Sequence, residues 1–161
     1  MGKKTILALR IVIALALLGS VFVQVVMMPL IWVDLEGARE WAKIAFISIL
    51  VLGILTMQVS AVCIWQLLTM VRRGSVFSSG AFKYVDVVIG AITAASLLTF
   101  LLAVLLAPGD VAPGIVGLIC GAALVIAGVA LIVLVLRTLL AQAVARDLEA
   151  QRLRSELNEV I

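Results

Sequence analysis

Four long stretches of this chain, residues 11–33, 44–71, 87–109 and 111–136, contain no Asp, Glu, Lys or Arg. Short polar intervals separate them. The shortest stretch has 23 residues, which as a helix reaches roughly 34 Å at about 1.5 Å per residue. A hydrocarbon core of about 30 Å needs about 20 predominantly apolar residues. The pattern therefore predicts four transmembrane helices. Residues 137–161 break it with charges while keeping Ala, Leu, Arg and Glu and having no Gly or Pro, which predicts a helical extension beyond the lipid. The expected fold is all-α: an integral membrane four-helix bundle, 1–136, followed by an amphipathic helical tail, 137–161.

Composition agrees. Hydrophobic residues make up 65% of the 161 positions and charged ones 13%, and mean hydropathy is +1.33. A water-soluble domain is nearer 45–50% apolar and about 25% charged, so the solvent must be lipid. Where the charges sit sets the expected orientation. Lys3, Lys4, Arg10, Arg72, Arg73, Lys83, Arg137, Arg146, Arg152 and Arg154 fall on one side of the four spans. Arg39 and Lys43 fall on the other, with Asp34, Glu36, Glu40 and Asp110. The positive-inside rule then places both termini and the middle connection in the cytoplasm. Net charge is +3; it reads as a topology signal and not as a nucleic-acid footprint. The first stretch is too long for a signal-peptide core and lacks a small-residue cleavage site, so it is expected to stay.

The chemistry available is sparse. The chain has no His and two Cys, Cys63 and Cys120, each alone in an apolar run. No zinc or iron–sulfur spacing is present, and the acids lie at span ends, so no catalytic residue, cofactor or metal is expected. Gln24, Gln58 and Gln66 are the notable intramembrane polar residues, since an amide in hydrocarbon seeks a partner. Interhelical polar contacts average only about 0.6 kcal/mol, so these read as modest glue. A transport path usually shows a mid-membrane charge, and none stands in the middle of any span.

The fourth span is rich in small residues: Gly114, Gly117, Gly121 and Gly128, with Gly117 and Gly121 forming GxxxG. Such a face lets two backbones approach closely. Packing inside the bundle is the plain reading, and a face for a second copy or a partner helix the sharper one. The middle connection carries Arg72, Arg73, Phe77, Lys83, Tyr84 and Asp86. Aromatics at the headgroups and basic residues against anionic lipid would anchor it, at about 1 kcal/mol per basic residue. Docking of a cytoplasmic partner is the alternative. Asp86 at the mouth of the third span is expected to pair with Lys83 or Arg72. Gly74 is a natural helix stop, and Ser78 or Ser79 a natural cap for the next helix. In the tail, Leu140, Val144 and Leu148 form one stripe, and Ala150, Leu153, Leu157 and Val160 a second at heptad spacing.

The run Gln58-Val59, Trp65-Gln66-Leu67-Leu68, Val71-Arg72-Arg73-Gly74-Ser75-Val76-Phe77-Ser78, then Phe82-Lys83-Tyr84-Val85-Asp86, resembles the domain of unknown function 2975 family of small bacterial four-helix membrane proteins. The closest likeness is to its actinobacterial members. Its acid-containing ending, Leu153-Arg154-Ser155-Glu156, is similar too, although the tail looks a few residues longer. The resemblance implies a multi-pass bacterial plasma-membrane protein, often encoded near a small helix-turn-helix regulator, and implies no activity. The expected function is therefore non-enzymatic: an interaction or regulatory subunit that self-associates or binds another membrane protein, its partners being the bilayer and that protein, with no nucleic acid. A small transporter or channel subunit for an ion or amphiphile, with Gln24, Gln58, Gln66 and Thr93 along a path, is the alternative.

Overall fold

A computed structural model describes residues 3–35, 37, 39–72, 79–109 and 111–159. Among the described residues five α-helices follow one another: α1, Lys3–Phe22; α2, Met28–Asp34; α3, Glu40–Arg72; α4, Ser79–Leu106; and α5, Pro113–Glu159. A π-helical turn, Val23–Met27, joins α1 to α2, so these three make one continuous rod. Four helices are long and apolar enough to cross a membrane: Ile6–Asp34, Glu40–Met70, Phe82–Leu106 and Pro113–Glu156.

Proline explains the irregular turn in the first rod. Pro29 has no N–H and its ring crowds the carbonyl four residues back. Just upstream the ladder loosens by one residue, and the Met28 N–H bonds to the Val23 carbonyl across five residues instead of four. Gln24 lies within that turn. Prolines also set the last turn. α4 ends at Leu106, before the uncharged stretch does, because the residue ahead of Pro108 disfavours helix. Gly109 N–H closes back on the Leu106 carbonyl at 3.1 Å, and α5 opens on Pro113, whose missing donor costs nothing in a first turn. Between α2 and α3 the chain reverses at Gly37, whose φ of 114° only glycine adopts comfortably.

The four rods pack in chain order, α1 and α2 on α3, α3 on α4, and α4 on α5. Among the described residues, extensive contacts join rods that are neighbours in the chain, and none joins the first to the last. With no water to drive closure, apolar side chains gain little by leaving lipid. Among the described residues burial is correspondingly rare: it is deepest at Ala103 on α4 and Ala123 on α5, with Ala130 and a few larger side chains such as Lys43, Ile49 and Val88 nearly covered.

Candidate functional site

The polar residues inside the spans are used to tie neighbouring rods together. Gln58 on α3 donates one amide hydrogen to Ser20 Oγ and the other to Gln24 Oε1, each at 3.0 Å. Ser20 in turn donates to the Leu17 carbonyl at 2.8 Å. Gln24 belongs to the π-helical turn, so the proline-induced slip places it where Gln58 can reach. This clasp stands near mid-membrane.

A second clasp closes one end of the same seam. Arg10 Nη2 donates to Thr69 Oγ1 at 2.9 Å, and Thr69 donates to the Trp65 carbonyl at 3.0 Å. The Arg10 guanidinium carbon also lies 5.5 Å from the centre of the Trp65 ring. The other end is held by Lys43, only 6% exposed, whose Nζ stands 4.4 Å over the Trp32 ring. Arg10 and Lys43 were legible from sequence as flanking charges; their aromatic partners were not. A cation is drawn to the negative face of an indole, and the pairing strengthens as water is removed. Trp41, by contrast, is exposed, as an interfacial aromatic is.

The α4–α5 seam is tied differently. Ser96, buried, donates to the Ala123 carbonyl at 2.8 Å, across a contact kept close by Ala103, Ala123 and Ala130. At the membrane edge Asp86 accepts a 2.7 Å hydrogen bond from Arg137 Nη2 and pairs with its Nε as well. Asp86 thus meets Arg137 of α5, a partner beyond the Lys83 or Arg72 expected from sequence. Successive helix starts and ends meet in an antiparallel hairpin, so Asp86, near the start of α4, lies beside the place where α5 leaves the lipid. The same guanidinium lies 6.0 Å from the Phe82 ring.

The remaining expected site residues separate into three groups. Gln66 is exposed on α3 and Thr93, exposed on α4, bonds its own Ile89 carbonyl at 2.9 Å; neither joins the Gln24–Gln58 clasp, so a four-residue polar path is not assembled. Lys83 is exposed and Tyr84 half-buried at the start of α4. Arg73, Phe77, Gly74 and Ser78 lie outside the described residues, as does the side chain of Arg72. An apolar groove of about 540 Å³ runs between α3 and α4, past Leu52, Val59, Ala94 and Leu97. Its one hydroxyl, Thr56, is occupied by the Gly53 carbonyl at 2.7 Å.

The glycine face is the main surprise. Gly114, Gly117 and Gly121 are exposed and Gly128 half-buried. Among the described residues, a Cβ placed on any of them would meet nothing within 4 Å. The chain's own packing uses the alanine face of α5 instead, and the glycines point away from α4. Packing inside the chain, the plain reading of GxxxG, is thereby corrected. Compared with known proteins, residues 4–161 match the family model described as protein of unknown function (DUF2975). No curated protein and no solved structure matches.

Proposed function

The chain belongs to the DUF2975 family, and we propose that it works as a non-catalytic interaction or regulatory subunit of a bacterial plasma membrane. Both termini face the cytoplasm in this reading. It self-associates or binds another membrane protein through the glycine face of α5, and it presents the α3–α4 connection and the tail to the cytoplasm.

One observation carries the reading. Intramembrane polar groups are largely committed to clasps within the chain, Gln58 to Ser20 and Gln24, Arg10 to Thr69, Ser96 to Ala123. The glycines of α5 meet nothing of their own chain. Small residues favour helix association because they let van der Waals contact and backbone approach replace the missing hydrophobic drive. An open face of that kind, beside used-up polar groups, supports contact over chemistry.

The test is to crosslink cells, purify the chain in mild detergent and measure the mass of the intact particle. A defined assembly is expected, and it should be lost in the double variant Gly117→Leu, Gly121→Leu. A particle holding one copy and no partner, unchanged by that variant, would refute the reading. The open surroundings of both glycines leave room for the new side chains within the fold; retained helicity by circular dichroism checks that.

A further inference from the structure

The inference that follows rests on the contact reading above and names the partner. Along α5, Leu118, Val125, Ile132, Leu139 and Leu153 recur at seven-residue steps, with Arg146 at the single step between. Taken as the d positions of a heptad, they place Ile115, Ala122, Val129, Leu136, Ala143 and Ala150 at a. All of these side chains are exposed, from 76% at Leu118 to 55% at Leu153 along the d line. The frame therefore follows the side of α5 that α4 does not cover, and it runs from membrane to tail with Arg146 as its one charged step.

Lipid accounts for the exposed residues in the first half but not for those in the second. α5 has 47 residues, about 70 Å of helix, whereas a hydrocarbon core of about 30 Å takes about 20. Leu153 stands well past Arg137, the residue that marks the membrane edge, and faces water. In proteins most helical stability comes from packing of an apolar face, and Leu148 and Leu153 are both exposed. Past the last span the same frame continues to carry apolar residues, Leu139, Ala143, Ala150 and Leu153, with Arg146 as its one charged position.

Two further features choose the occupant and the geometry. Copies inserted with one topology present α5 in the same direction, so a pair of them is parallel. In a parallel pair, position g of one helix faces position e of the next heptad in the other. In this frame Glu149 is g and Arg154 is e, both exposed, so each meets its opposite charge in the second copy, twice by symmetry. Gly114, Gly121 and Gly128 are also at g, where absent side chains let the backbones close up inside the lipid. The crossing must be shallow and left-handed. A right-handed GxxxG crossing of about −40° would splay the tails apart, whereas a strict seven-residue repeat keeps one face inward along its whole length.

We propose that α5 pairs in parallel with α5 of a second copy, as a continuous left-handed coiled coil from the glycine-bearing membrane segment to the tail. The test uses the full-length chain in native membranes, with Cys63→Ala and Cys120→Ala, and single cysteines introduced by oxidative crosslinking scan. Leu118→Cys, Ile132→Cys and Leu153→Cys report the face. Leu124→Cys, Leu131→Cys and Leu148→Cys are equally exposed positions off it. Disulfide-linked species with the mass of two copies are expected several-fold more abundantly from the first set. With Leu153→Cys, Arg154→Glu should lower the yield, and adding Glu149→Arg should restore it. Equal yields from both sets would overturn the pairing. So would products heavier than two copies, which leave the contact reading standing with another protein as partner. A particle with one copy and no crosslink at any position would overturn both.

Discussion

Among single residues, the amide of Gln58 does the most to join helices. It spends both of its hydrogens across the first seam, on Ser20 and Gln24, while Gln66, eight residues on, is exposed and has no such role. At about 0.6 kcal/mol for an interhelical polar contact, Gln58→Ala should cost about 1 kcal/mol of stability. Gln66→Ala should cost close to nothing. Reversible unfolding of the two variants in detergent micelles separates them, and equal losses would dissolve the clasp. The sequence pointed to both glutamines alike, because an amide in an apolar run looks the same wherever its helix turns it. Asp86 shows the same limit. Its proximity in sequence to Lys83 and Arg72 was visible, whereas Arg137 is 51 positions away and is brought near only by the hairpin. The pair is partly exposed at 30% and 50%, so it contributes orientation more than stability, on the order of 1 kcal/mol or less.

Element by element, turn chemistry explains the most. Pro108, Gly109 and Pro113 end α4 and begin α5 by rules that act within a few residues, which is why that turn was predictable. Pro29 is subtler. Its place near the end of the first span was plain, but the slip it imposes on Val23–Met27 follows only once the ladder is drawn. The slip rotates everything upstream by about 100° relative to a regular helix. Pro29→Ala should restore the regular ladder and swing Ser20 away from Gln58. In a chain carrying Ser20→Cys and Gln58→Cys, with both native cysteines removed, the interhelical disulfide should then form several-fold less than with Pro29 present. Unchanged disulfide yield would mean that the π turn has another cause.

As a whole, the molecule divides into unequal parts. α3, α4 and α5 pack along long seams, with buried alanines on α4 and α5, while α1 meets α3 over less of its length and with polar clasps across the seam. Lipid provides no hydrophobic drive to hold a helix against its neighbour, so the seam with fewer close contacts opens first. Hydrogen exchange of the chain in lipid nanodiscs should show mid-span amides of α1 exchanging ahead of mid-span amides of α4. Equal protection would argue for a single cooperative unit.

Two kinds of information decided this protein. Sequence alone determined four spans, a helical tail, and an interior poor in reactive groups, because length, apolarity and charge position act locally and lipid is unforgiving of error in them. The tertiary structure decided which faces meet. In water a hydrophobic stripe announces the buried side of a helix, but in lipid every side is apolar, and that signal disappears. Alanine took the seam that glycine was expected to fill, glutamines of similar appearance separated into one that binds and one that does not, and the glycine face of α5 was left outward.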